Sequence, residues 1–180
     1  MSKDLVKTSK FLSLVLRHQP ETIGLTLDPQ GWADVAELIR LANASGHSLT
    51  RETLDRVVAE SDKKRFAFDE SCQKIRASQG HSVEVDLQLT PLVPPERLFH
   101  GTATRFLDSI RAKGLIPGSR QQVHLSADEA TSLQVGQRHG KPVVLVVLSG
   151  AMHAAGHSFY RSANGVWLTD HVPTEFLEIP

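Results

Sequence analysis

One cysteine, Cys72, stands among 180 residues, so the chain has no internal disulfide framework and no cysteine-rich zinc site. No apolar run approaches the roughly 18 residues that a membrane span requires. The stretch after Met1 is charged and helix-compatible, without the apolar core of a secretory signal. Charge of neither sign prevails, because 20 Lys and Arg balance 20 Asp and Glu. The global basic field that announces nucleic acid is therefore missing, and phosphate binding would need a local cationic pocket. There is no GxGxxG between a strand and a helix, which sets aside Rossmann-type dinucleotide binding, and no HExxH for zinc. Internal repeats and low-complexity tracts are absent as well. A soluble cytoplasmic protein without a metal is expected. What the chain does have is 40% apolar residues, enough for a proper core, and nine histidines, several beside Gly or Arg.

Residues 1–88 are helix-rich. In "FLSLVLRHQP" Phe11, Leu12, Val15 and Leu16 share a helical face, and Pro20 stops the run. Arg17 and His18 end this helix side by side, which dipole chemistry alone would account for. "IGLTLDPQGW" predicts a short strand and a Pro/Gly turn. "VAELIRLANASG" has helical spacing at Val35, Leu38, Ile39 and Ala42, with Gly46 as its stop. Thr50 is the expected N-cap of "RETLDRVVAES", and "KRFAFDESCQKIRAS" predicts a hairpin. Helix, helix, helix, hairpin is the order of a winged-helix lobe. The fold class is thus α+β.

"LTPLVPPER" holds three prolines in nine residues, and residues 89–97 are expected to be a linker. Residues 98–180 alternate short strands with helices. "RLFHGT" and "QVHLS" end strands, "TRFLDSIRAKG" is a helix closed by Gly114, and "SADEATSLQVGQRHG" is another helix. "PVVLVVL" predicts a strand buried on both faces. "NGVWLTD" and "EFLEI" complete the lobe.

Chemistry-bearing residues lie in both halves. Gly101 in "HGT" would let a ligand approach the backbone, and Thr102 offers a hydroxyl beside it. His100 and His124 end predicted strands and could bond ribose hydroxyls, or be satisfied within the fold. Arg65 precedes the alternating Phe66 and Phe68, so buried neighbours fix its position. Arg120 sits on a loop feeding the His124 strand, where sites commonly lie. A guanidinium suits a phosphate because its planar fork gives two charge-assisted bonds and stays ionised. Trp32 and Trp167 are expected in the core, and His153 and His157 at structural or surface positions.

"SKFLSLVLRHQP", "GWADVAELI", "SDKKRF", "FHGT", "VHLSADEA" and "NGVWLT", in that order, resemble the RNA 2′-phosphotransferase family, the KptA-type enzymes. The resemblance covers essentially the whole chain. It implies an N-terminal winged-helix RNA lobe and a C-terminal lobe of ADP-ribosyltransferase fold. It implies that NAD is consumed to remove an internal 2′-phosphate from RNA, the mark left at some tRNA splice junctions. Arg17, His18, Arg65 and Arg120 carry over as the catalytic, phosphate-binding quartet, facing a phosphate held between the lobes. His100, His124 and Val166 stand at the places where similar toxin-like ADP-ribosyltransferases hold NAD. Gly101, Thr102, Leu125, Ser126 and Arg138 complete the expected NAD-binding set.

The implied reaction has two steps. The RNA phosphate first displaces nicotinamide, giving a 2′-phospho-ADP-ribosylated RNA. The ribose 2″-hydroxyl then attacks phosphorus, giving RNA with a free 2′-hydroxyl and ADP-ribose 1″,2″-cyclic phosphate. Val166 stands where many related transferases have a glutamate, which argues against protein ADP-ribosylation. A monomer without metal or membrane contact is expected. Two other readings are an NAD-dependent transferase that caps phosphorylated nucleic-acid ends and a non-catalytic winged-helix binding protein. The mixed charge of "RETLDRVVAES" counts against the second.

Overall fold

A computed structural model describes residues 2–180, which divide after Gln88 into two compact units. Among the described residues no helix is long and apolar enough to cross a membrane. Helix α1 (Lys3–Ser13) opens where the Ser2 hydroxyl accepts the Leu5 amide at 3.3 Å. Its last turn widens into a π-turn, Leu14–His18, closed by the Gln19 amide donating to the Leu14 carbonyl at 2.7 Å. Gln19 precedes a proline and is disfavoured in the helical region, and it sits at φ −138°, ψ 63°.

Helix α2 (Val35–Ala44) is capped by Asp34, which accepts the Glu37 amide at 2.9 Å. Helix α3 (Arg51–Glu60) is capped by Thr50, which accepts the Thr53 amide at 3.2 Å. Strands β2 (Phe66–Phe68) and β3 (Lys74–Ala77) form the expected hairpin, with Phe66 opposite Ala77. A two-residue strand β1 (Ala33–Asp34) lies on the other edge of β3, giving the order β1-β3-β2. Leu12, Leu16, Leu38, Leu54 and Ile75 meet in the core without exposed surface.

In the second unit β4 (Leu98–Ala103) pairs antiparallel with β6 (Pro142–Val147), from Leu98 opposite Val147 to Ala103 opposite Pro142. Strand β9 (Leu177–Glu178) takes the far edge of β6. A second sheet has the order β5-β8-β7, from Val123–Leu125, Trp167–Thr169 and Tyr160–Arg161. Phe99 and Ser126 join the two sheets by exchanging backbone bonds of 2.8 Å. Helix α4 (Leu107–Lys113) stops at Gly114, whose φ is +74° and where a Cβ would lie 2.2 Å from the Val172 carbonyl oxygen. Helix α5 (Glu129–Gln137) starts with Asp128 accepting the Ala130 amide, and α6 (Ser149–Ala154) follows β6.

Several expectations need correction. "IGLTLDPQGW" holds no strand. The Leu25 amide is drawn to the Pro20 carbonyl, and Asp28 accepts the Gln30 and Trp32 amides at 2.9 Å, so this segment is a turn and pairing starts only at Ala33. The proline-rich linker is largely part of the second unit. Leu92 donates to the Phe159 carbonyl, the Ser149 hydroxyl donates to the Pro95 carbonyl, and Gly150 donates to Glu96. These bonds also support α6, whose Ser-Gly start gave no helical signal. Strand β6 is fully buried at Leu145 and Val147 but only half-buried at Val143, Val144 and Val146. Trp167 is buried as expected, whereas Trp32 is half-buried with the Arg76 guanidinium 4.4 Å from its ring centre.

The partly covered face of β6 meets α5, and two glycines set the distance. A Cβ on Gly101 would lie 1.6 Å from the Ser132 carbonyl oxygen, and one on Gly136 would lie 2.6 Å from the Thr102 carbonyl oxygen. On its Cβ side Gly101 makes room for a helix. Neither contact involves a flexible side-chain end, so the backbone itself must move to admit a methyl group. Gly101→Ala is expected to destabilise the protein by about 3 kcal/mol, the upper range for overpacking. Urea denaturation of both proteins measures this directly.

Candidate active site

The first unit holds Arg17, His18 and Arg65. Because the π-turn ends at His18, the Arg17 carbonyl finds no donor further along its helix. The loop after β3 supplies two, the Ser82 amide at 2.9 Å and the Val83 amide at 3.3 Å. The same loop touches both side chains. The Ser82 Oγ lies 2.9 Å from His18 Nδ1, and Gly80, at φ +89°, is so placed that a Cβ would be 3.6 Å from the Arg17 guanidinium carbon. Arg17 also lies over the Phe66 ring, 5.9 Å from its centre. Arg65, next to that phenylalanine, is held by its main chain. Its amide donates to Ser61 Oγ at 3.4 Å and its carbonyl accepts from Ser78 at 2.8 Å.

His81 is 2% exposed, and its Nε2 lacks a hydrogen-bond partner among the described residues. That nitrogen lies under the 28–32 turn, where a Cβ on Gly31 would be 3.3 Å away. Burial pushes its pKa down to about 4, and the charges of Arg17, Arg76 and His18 act in the same direction. His81 is thus a neutral ring among cationic neighbours.

The second unit holds Arg120, His100, His124 and Arg138. Strands β4 and β5 bring the two histidines together. His100 Nδ1 donates to the His124 carbonyl at 2.9 Å, which leaves a lone pair on its Nε2. Arg120 donates to His124 Nδ1 at 2.7 Å, which places the neutral His124 proton on Nε2. The two rings therefore offer opposite hydrogen-bonding character at Nε2. Burial lowers the His100 pKa, and the fields of His139 and Arg120 add to this against the opposing hydrogen bond to His124. The Arg120 pKa is also lowered, by the protein around it and then by the charge of Arg138, so the two guanidiniums feel one another.

The other expected site residues lie on or next to β4, β5 and β8. Leu125 is 2% exposed, with its side chain in the core, and the Ser126 amide and carbonyl are both used by Phe99. Thr102 is buried at 6% exposure, on the strand that α5 covers. Val166 sits half-buried before β8, its amide donating to Ser162 Oγ at 3.1 Å and its carbonyl accepting the Ser162 amide at 2.9 Å. Of the surface histidines, His157 is half-buried, edge-on to Phe176 with centres 5.6 Å apart.

A family model described as RNA 2'-phosphotransferase, Tpt1 / KptA family, matches residues 3–171. The chain belongs to this family. It is 64% identical over 172 residues to a probable RNA 2'-phosphotransferase of Agrobacterium fabrum, covering 96% of this chain and 92% of that one. It is 56% identical over 176 residues to a protein of the same description from Acaryochloris marina, covering 98% and 97%. A third, from Pseudomonas aeruginosa, is 57% identical over 176 residues, covering 97% of each chain.

In this RNA 2′-phosphotransferase family member the sequence reading passed over Gly80, His81 and Ser82. Their signal, "QGHS", lies outside any predicted element, and only the fold returns it to Arg17, some 64 positions earlier for the His18–Ser82 pair.

His81 also makes stability depend on pH. Its pKa is depressed in the fold, so its contribution is fully present above the unfolded value near 6.5 and is lost as pH falls through about 4. The loss over that window is expected to be on the order of 3 kcal/mol. Urea denaturation between pH 7 and 4 should show the decline, and His81→Gln should flatten it.

Proposed function

We propose that the chain is an NAD-dependent RNA 2′-phosphotransferase, which removes an internal 2′-phosphate from RNA by transferring it to NAD. The observation that carries this reading is the family match over residues 3–171, which spans Arg17, His18, Arg65 and Arg120. The charge distribution agrees with it. The ion pairs among the described residues use Arg40, Arg51, Arg56 and Arg111, so no carboxylate in them neutralises Arg65, Arg120 or Arg138. Helix, strand, two helices and a hairpin in the first unit suit a winged-helix RNA lobe. The two small antiparallel sheets of the second suit an ADP-ribosyltransferase-like lobe.

The second unit also fits a dinucleotide. Arg120 and Arg138 would meet its phosphates, and the Nε2 lone pair of His100 and Nε2–H of His124 would meet ribose hydroxyls. When bound, NAD supplies the ribose carbon at which the RNA phosphate displaces nicotinamide. The arginines hold the phosphate in line and stabilise charge on its oxygens, and this positioning supplies most of the catalysis. In the second step His18 would take the ribose 2″-hydroxyl proton and return one to the RNA 2′-oxygen as its bond to phosphorus breaks. Nicotinamide departs without added charge stabilisation, so no step calls for a Lewis acid.

The deciding experiment incubates the protein with NAD and an RNA oligonucleotide bearing one internal 2′-phosphate, followed by mass analysis. Free 2′-hydroxyl RNA and ADP-ribose cyclic phosphate are expected. A reaction that stops at ADP-ribosylated phosphate would indicate a capping transferase, and no nicotinamide release would indicate a binding protein. Turnover is expected to persist in EDTA, and loss restored by a divalent ion would contradict the metal-free account. Arg120→Ala should slow nicotinamide release by about 2–4 kcal/mol of barrier, because it removes a charge-assisted contact next to the NAD-holding histidines. Arg65→Ala should instead let ADP-ribosylated RNA accumulate, since the second step builds charge on phosphorus oxygens. Single-turnover time courses separate the two.

A further inference from the structure

Four consecutive residues after β3 are devoted to the turn that carries Arg17 and His18. Gly80 lies against the Arg17 side chain, His81 is buried beneath, and the Ser82 and Val83 amides close on the Arg17 carbonyl. The Ser82 hydroxyl then reaches His18 Nδ1 at 2.9 Å. Ser82 is thus tied twice to neighbouring residues, by its amide to residue 17 and by its side chain to residue 18. With His81 anchored in the interior next to it, the loop cannot lift away without exposing a buried ring.

We propose that Ser82 is a positioning residue for His18, whose Nδ1–H donates to the Ser82 oxygen so that Nε2 is the nitrogen that exchanges the reaction's proton. The proposal rests on the phosphotransferase reading for the identity of that proton, and on geometry alone for the state of the ring. A base must hold a lone pair, so if Nε2 takes the proton, Nδ1 must already carry one. An oxygen that accepts from Nδ1 serves the neutral ring and the imidazolium equally, so His18 can gain and lose a proton without turning. A hydroxyl that donated to Nδ1 would fit only the neutral ring. The hydrogen bond at one nitrogen thereby sets the role of the other. Ser82 stands to His18 as the orienting partner that catalytic imidazoles require, and a hydroxyl tied down by its own backbone can fill that place.

The first test does not depend on turnover. Long-range 1H–15N spectra of the full-length protein, with His18 assigned by comparison with His18→Gln, report which ring nitrogen carries hydrogen. The neutral His18 ring is expected to be Nδ1–H in the wild type and in Ser82→Thr, and to shift toward Nε2–H in Ser82→Ala. An Nε2–H ring in the wild type, or no change in Ser82→Ala, would overturn the proposal. The second test uses kinetics with NAD and 2′-phosphorylated RNA. Ser82→Ala should lower kcat about 10- to 100-fold, with KM for RNA within about twofold and an unchanged urea midpoint, and Ser82→Thr should recover most of the rate. A wild-type kcat in Ser82→Ala would refute the positioning role while leaving the phosphotransferase reading intact. Failure of the wild type to turn over would refute that reading, and the ring spectra would still decide the hydrogen bond.

Discussion

Pro20 excludes Gln19 from the helical region, and much of the first unit's chemistry follows from that steric fact. The helix must end at His18, its last turn relaxes into i→i−5 bonding, and the Arg17 carbonyl is left to find donors elsewhere. An unmet buried carbonyl is costly, so the loop after β3 is drawn onto it. Once the Ser82 and Val83 amides are there, the Ser82 hydroxyl and Gly80 are fixed beside His18 and Arg17. A backbone requirement thus fixes the surroundings of Arg17 and His18, two of the residues proposed to act in the reaction. The π-turn agrees with the wider tendency of such turns to occur at functional sites.

Charge is handled by separation. The chain is neutral overall, and three of its exposed carboxylates pair with arginines one helical turn away, Glu37 with Arg40, Asp55 with Arg51 and Glu60 with Arg56. Such exposed pairs contribute little to stability. None of these pairs involves Arg65, Arg120 or Arg138. Burial first and the charge of Arg138 second lower the Arg120 pKa, and burial together with the charges of Arg17, Arg76 and His18 keeps His81 neutral. A second positive charge at position 81 would oppose Arg17, so a buried neutral imidazole is the form that tolerates this place.

Periodicity and punctuation made the helices and the β2–β3 hairpin legible, because Thr50, Gly46 and Gly114 act locally. The order of motifs made the family legible. Three features were hidden for physical reasons. The turn at Asp28 is built by a side chain competing with strand pairing. Helix α6 depends on bonds from Pro95 and Glu96, more than fifty residues before it. The contacts of Ser82 and His81 arise only when a coil segment folds back on the first helix. Gly101 was singled out in the sequence, but its packing role was not legible there. Its bare Cα admits the Ser132 carbonyl and lets α5 lie on β4.

That packing bears on the site through His100. Along β4, Gly101 faces α5 while its neighbour His100 points to the other side of the strand, as alternation demands. Holding α5 close at Gly101 and Gly136 fixes β4, and the bridge from Phe99 to Ser126 fixes β4 against β5. The 2.9 Å bond from His100 to the His124 carbonyl depends on that alignment, and Arg120 in turn bonds the His124 ring. These two bonds set the tautomers of both histidines, through a main-chain carbonyl and one arginine. A carbonyl, a hydroxyl and a guanidinium thus orient imidazoles in both units.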